Sequence, residues 1–254
     1  MLERLTEKPD MTRSQNKSSD SKSTKSAQGG SLMGVVTIDG PAASGKSSVS
    51  RELARRLQWD WVSTGTFYRG LAWAANEAGL DLNDEAAIVL FSESDRWEVR
   101  LTAQTTRFVF ENVDRTDDIG KESVGALASK ISSYPKVRLA LLEAQRACSG
   151  TGRGLIAEGR DCGTVVFPNA DVKVFLTAKA ADRAQRRALE EGRSLEATIS
   201  DQERRDHQDA SRTAAPMIAS EGAYQLDTTG LTLEAVVDQI EALVRKTLSP
   251  QPTV

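Results

Sequence analysis

The chain has 254 residues, 27% of them charged and 39% hydrophobic, with a net charge of −3 at neutral pH. That ordinary globular composition gives no general attraction to a nucleic-acid polymer. No apolar run reaches the roughly eighteen residues of a bilayer span and no secretory leader pattern is present, so a cytoplasmic location is expected. Cys148 and Cys162 are too few for a disulfide scaffold or a four-ligand zinc site, and the lone histidine, His207, argues against His-rich metal centres and serine–histidine catalysis.

In chain order, residues 1–33 are rich in Ser, Lys, Gln and Asn with few large apolar side chains, and are read as a disordered tail. Val35 to Asp39 is a β-branched run that reads as a buried strand. It empties into Gly40-Pro41-Ala42-Ala43-Ser44-Gly45-Lys46-Ser47-Ser48, the pattern G-x-x-x-x-G-K-S, which opens a helix with Val49, Leu53 and Leu57 on one face. This is a phosphate-binding loop. Gly40 and Gly45 let successive backbone N–H groups point at a polyphosphate, the helix N-terminus adds its positive dipole end, and Lys46 reaches the β- and γ-phosphates. The Ser47 hydroxyl is the expected ligand of a Mg²⁺ ion bridging those phosphates.

From there strand and helix alternate, with further strands expected at Trp59–Ser63, Gly154–Glu158, Val172–Thr177 and Tyr224–Asp227. The fold expected is α/β, a parallel sheet of five strands flanked by helices. Between the second and third of these strands, 96–101 and 107–111 alternate apolar and polar residues as half-exposed antiparallel strands do, and read as an inserted substructure. A helix follows from about Pro135 to Ser149. The last helix begins near Thr232 as N-cap and carries Leu233, Val236, Val237, Ile240 and Val244 as a core stripe.

Arginine recurs at the ends of these elements. Thr64-Gly65-Thr66-Phe67-Tyr68-Arg69 follows the second strand, at the carboxyl edge where such sheets bind ligands. In Glu158-Gly159-Arg160-Asp161, the acid ends an apolar strand where a carboxylate would hold Mg²⁺ through water, and Arg160 could clamp a phosphate. Arg205, Asp209 and Arg212 recur at i, i+4 and i+7 in a helix that Pro216 helps terminate, a spacing that taken alone is more often a solvated, salt-bridged face. Arg183, Arg186 and Arg187 suit either an arginine-bearing lid or a plain charged helix. Phosphoryl transfer to a second phosphate explains many arginines without a candidate base. A phosphate monoester, with its second pKa of about 6, is already anionic, and arginine forks both neutralise and align it.

These segments together resemble the bacterial cytidylate kinases, members of the nucleoside monophosphate kinase family. The resemblance runs from about Val35 to Leu248 and is carried by Ile38–Ser48, Thr64–Arg69, Tyr134-Pro135-Lys136-Val137-Arg138, Glu158–Pro168 and Arg205–Arg212 with Ala215-Pro216. It implies a core at 34–65, 150–180 and 213–254, a monophosphate-binding region with an insertion at 66–149, and a lid with its flanking helix at 181–212. It further implies ATP as donor, held by residues 40–48 with Arg183 and Arg187, and Mg²⁺ at Ser47 and Glu158. Arg69, Arg160 and Arg212 are implied to hold the monophosphate, with Thr64 near the nucleotide. Ser129, Arg138 and Asp161 are implied to face cytosine, and Arg205 and Asp209 to approach the ribose and the transferring phosphates. Lys46, Arg160, Arg205 and Arg212 are then the catalytic set, CMP and dCMP the acceptors, and a monomer the working form. Ser63 departs from the aspartate common in the family before Thr-Gly, and Glu158 from the aspartate of some members.

Two other readings compete. A P-loop kinase for UMP or dTMP differs only in the groups facing the base. A GTP-dependent switch would explain the phosphate loop and the D-x-x-G at Asp227–Gly230, but that motif comes far too late in the chain. Lys179-Ala180-Ala181-Asp182 also fails as the guanine-recognising N-K-x-D.

Overall fold

The computed structural model describes residues 32–102, 105–150, 152–192, 194–212 and 215–249, without the side chains of Glu190, Glu191, Asp201, Arg205 and Gln208. The expected tail, 1–33, lies outside the described residues up to Ser31. The first strand, β1 (Val35–Asp39), is followed by the phosphate loop, α1 (Lys46–Leu57), β2 (Asp60–Ser63) and α2 (Gly65–Glu77). A detour then comprises α3 (Glu85–Ser92), β3 (Trp97–Leu101), β4 (Thr106–Phe110), β5 (Val113–Asp114), α4 (Thr116–Gly120), α5 (Glu122–Ile131) and α6 (Pro135–Ala147). The chain returns to the main sheet through β6 (Leu155–Gly159) and β7 (Val172–Thr177). It leaves it again for α7 (Ala180–Glu191) and α8 (Leu195–Ala210), and ends with β8 (Tyr224–Asp227) and α9 (Leu233–Leu248).

The five-stranded sheet runs β2-β6-β1-β7-β8 with every pairing parallel. Successive residues of its central strands serve opposite faces. On β6, Leu155 and Ala157 pack with α2 and α6, whereas Ile156 packs with α1 and α9, and none is more than 1% exposed. Apolar residues on both faces explain why these strands read as continuous hydrophobic runs. On α9, Thr232 Oγ1 accepts the Ala235 N–H at 3.2 Å as N-cap, and Val236, Val237, Ile240 and Val244 are buried.

The antiparallel substructure is present with shifted edges. Glu111 and Asn112 take φ of 48° and 65°, so β4 ends at Phe110, and the chain turns back into the two-residue β5. Thr106 stitches it to the main sheet: its hydroxyl accepts from Ser63 N–H and donates to the Trp61 carbonyl, both at 3.0 Å. Gly70 is required beneath it, since a Cβ there would stand 2.2 Å from the Phe108 ring. The helix expected to carry Arg212 stops at Ala210: its C-cap Ser211 has φ −87° and ψ 0° and leaves the helical conformation. Arg212 therefore sits just past the helix rather than on its face.

Register fixes the site. Asp39 lies opposite Gly159, and Ser63 opposite Glu158, so β1, β2 and β6 end together at one carboxyl edge. Among the described residues, no helix is long and apolar enough to cross a membrane.

Candidate active site

At that edge the phosphate loop leaves β1 in a conformation only its sequence permits. Gly40 has φ +146°, and a Cβ on it would lie 2.1 Å from the Leu176 carbonyl oxygen. Lys46 opens α1 and is 7% exposed, so it is no surface lysine; its Nζ donates to the Pro41 carbonyl at 2.5 Å. Burial, and after it the charge of Arg160, lowers its pKa to about 7, against the opposing pull of Glu158, Asp39 and Asp209. Beside it Ser47 Oγ donates to Glu158 Oε1 at 2.8 Å, while Glu158 Oε2 is buried without a partner. A hard divalent cation suits this hydroxyl and orphaned carboxylate oxygen, with phosphate and water completing its oxygen shell. Among the described residues there is no cluster of three or more His, Cys, Asp or Glu side chains that could hold a metal alone.

Facing the loop is a second, arginine-rich wall. Arg138 from α6 is 8% exposed; it pairs with Asp161, donates to the Ser132 carbonyl at 3.0 Å and lies 5.4 Å from the centre of the Tyr68 ring. Burial raises the Asp161 pKa, an effect that Arg138 and Arg212 oppose. Asp209, 5% exposed, takes Arg160 Nε at 2.9 Å on one oxygen and Arg212 on the other, and Arg212 also donates to Ser132 Oγ at 3.0 Å. Burial lowers the Arg212 pKa. Thr64 Oγ1 donates to the Glu158 carbonyl at 2.9 Å, and Arg69 donates to the Ile119 carbonyl at 2.8 Å.

Loop and wall enclose one cleft of about 270 Å³. Of the residues singled out from sequence, it brings together Ala42, Ala43, Lys46, Ser47, Thr64, Arg69, Ser129, Arg138, Glu158, Arg160, Asp161, Arg187, Asp209 and Arg212. The remaining loop residues Gly40, Pro41, Ser44, Gly45 and Ser48 shape the loop without lining the cleft. Arg183 does not line it either. It is 7% exposed, donates to the Ala42 carbonyl at 3.0 Å and pairs with Asp206 at 2.6 Å, bracing the phosphate loop from behind. Arg187 lines the cleft and pairs with Glu122 of α5. Arg205 is on α8, but its side chain lies outside the described residues.

The family model for cytidylate kinase matches residues 36–246. The chain belongs to the cytidylate kinase family. It is 54% identical over 211 residues to the cytidylate kinase of Bdellovibrio bacteriovorus, covering 83% of this chain and 97% of that one. It is 46% identical over 213 residues to the cytidylate kinase of Azotobacter vinelandii, covering 81% and 93%. Among solved structures, a gluconokinase from Sinorhizobium meliloti aligns at 13% identity with a TM-score of 0.45, over 85% of this chain and 94% of that one.

Two residues of this cytidylate kinase-family cleft, and one buried beside it, escaped sequence reasoning. Tyr68 sits inside the Thr64–Arg69 segment, yet nothing local indicates that Arg138, distant in sequence, would lie over its ring. Ser132, whose carbonyl and hydroxyl serve two arginines, looks like any helix-end serine. Asp39 ends β1 in plain view, but its partners come from beyond β6.

Proposed function

We propose that the chain transfers the γ-phosphoryl group of ATP to CMP or dCMP. The single observation that carries this reading is the buried Arg138–Asp161 pair opening into the same cleft as Lys46 and Ser47. Cytosine offers an exocyclic amino donor beside acceptors N3 and O2, which suits a carboxylate flanked by Arg138 and Ser129. Uracil would put an acceptor against that carboxylate. Arg69, Arg160 and Arg212 take the monophosphate, and Arg205 and Asp209 lie toward the ribose and the transferring phosphoryl. On the donor side, residues 40–48 hold the triphosphate and Lys46 neutralises charge at its β,γ end, with Arg187 reaching it from α7. Mg²⁺, when held by Ser47 and by Glu158 through water, would supply charge neutralisation at the β- and γ-oxygens. A monomer is the working form proposed.

With ATP and Mg²⁺, CMP and dCMP are expected to exceed UMP, dTMP and AMP in kcat/KM by about 100-fold or more, because an unpaired buried acceptor costs a few kcal/mol. Turnover of UMP or dTMP above CMP would overturn the reading. The acceptor phosphate needs no base, and His207 is exposed on α8. Accordingly, His207→Gln should keep kcat within about twofold of the parent across pH 6–9; a loss of tenfold or more would restore a general base to the mechanism.

A further inference from the structure

Asp39 is 3% exposed, lines no part of the cleft and has no role in the transfer described above. Both of its carboxylate oxygens are nonetheless committed. Oδ1 accepts the Cys162 N–H at 2.8 Å and Oδ2 the Gly163 N–H at 2.7 Å. Those N–H groups open the single helical turn Cys162–Val166, immediately after Asp161, where the backbone itself supplies no acceptor. The fit around them is close. A Cβ on Gly163 would meet Thr37 Oγ1 and Ser220 Oγ at 2.9 Å, and one on Gly159 would meet Thr64 Oγ1 at 2.4 Å and Cys162 Sγ at 2.7 Å. The segment between those glycines carries Arg160 toward Asp209 and Asp161 toward Arg138.

We infer that Asp39 is a positioning residue for the acceptor half of the site, fastening the backbone that aims Arg160 and Asp161 to the strand end from which the phosphate loop departs. This rests on the kinase reading above. Asp39 precedes Gly40 directly, so one carboxylate joins the origin of the donor loop to the acceptor loop. A pair of charge-assisted hydrogen bonds to a buried carboxylate is suited to the task, because small displacements of aligned groups are costly in rate. Burial lifts the carboxyl toward 6, yet the Gly163 and Cys162 N–H bonds favour its ionised form.

Asp39→Asn tests the inference, since an amide of the same shape can accept one N–H but must set its own donor against the other. KM for CMP should rise about tenfold or more and the preference for CMP over UMP should fall, while KM for ATP stays within about threefold and thermal unfolding shifts by only a few degrees. A merely structural role would raise both KM values together. That result, or an unchanged KM for CMP, overturns the inference. Asp39→Ser, smaller and able to accept one N–H, is held to the same outcomes should Asp39→Asn lose its fold. Absence of CMP turnover in the parent would instead overturn the kinase reading itself.

Discussion

Lys46→Met is expected to lower turnover of CMP by about 10³-fold while making the protein more stable at pH 6. The loss follows from removing the one ammonium buried in the phosphate loop, where a preorganised charge facing developing negative charge is worth several kcal/mol. The gain follows from the cost of keeping that ammonium out of water. Lys46 titrates at about 7 in the folded chain against an ordinary 10.5. Below 7 both folded and unfolded chains hold the proton, so the penalty is present in full. As pH rises from 7 toward 10.5 the folded chain releases its proton while the unfolded one keeps it, and the penalty fades. The variant should therefore be more stable than the parent at pH 6, less the lost hydrogen bond to the Pro41 carbonyl, and should lose that advantage as pH approaches 10.5. Chemical denaturation of both proteins at pH 6, 8 and 10 measures the trend. A gain that grows with pH would contradict the lowered titration of Lys46.

The same lysine illustrates what could be read in advance. Its place was legible because a phosphate loop is a local device: Gly40, Gly45, Lys46 and Ser47 act within one turn of chain, and the flanking apolar patterns report their own strand and helix. The five strands were legible for a similar reason, since residues buried on both faces of a sheet leave unbroken β-branched runs. Edges were less so. β4 ends at Phe110 because Glu111 and Asn112 adopt positive φ, a choice that neither residue type dictates. Arg212 reads as a helical residue from spacing alone, yet the helix closes at Ala210. Arg183 shows the harder limit. Its spacing with Arg186 and Arg187 suits an arginine-bearing lid and a plain charged helix alike, and gives no sign that Asp206 and the Ala42 carbonyl hold it under the phosphate loop. Such partners lie 23 and 141 residues away, and no periodicity encodes them. The second wall of the cleft is of this kind throughout. Arg138, Asp161, Asp209 and Arg212 come from α6, the turn after β6, and the end of α8, and their pairing is a product of the fold.

That pairing makes Asp161 the position where base selection can be tested apart from phosphoryl transfer. Asp161→Asn is expected to lower kcat/KM for CMP by about 100-fold or more and to bring the CMP-to-UMP ratio down toward unity. Two effects combine. Arg138, 8% exposed, is left charged without an ionised partner, though still in contact with the Ser132 carbonyl and the Tyr68 ring, and breaking a buried pair from one side typically costs about 3–5 kcal/mol. Part of that cost falls on folding rather than on binding, so a lower melting temperature should accompany the change. The second effect concerns the base alone. An ionised carboxylate can only accept, and so favours the amino group of cytosine over the carbonyl of uracil; an amide can present either its oxygen or its NH₂. CMP therefore loses its advantage, while UMP is relieved of an acceptor-to-acceptor clash. Loss of stability by itself would depress both substrates equally. The ratio of the two kcat/KM values, measured on the same preparation, thus isolates the contribution of Asp161 to base selection, and a ratio equal to the parent's would remove Asp161 from that role.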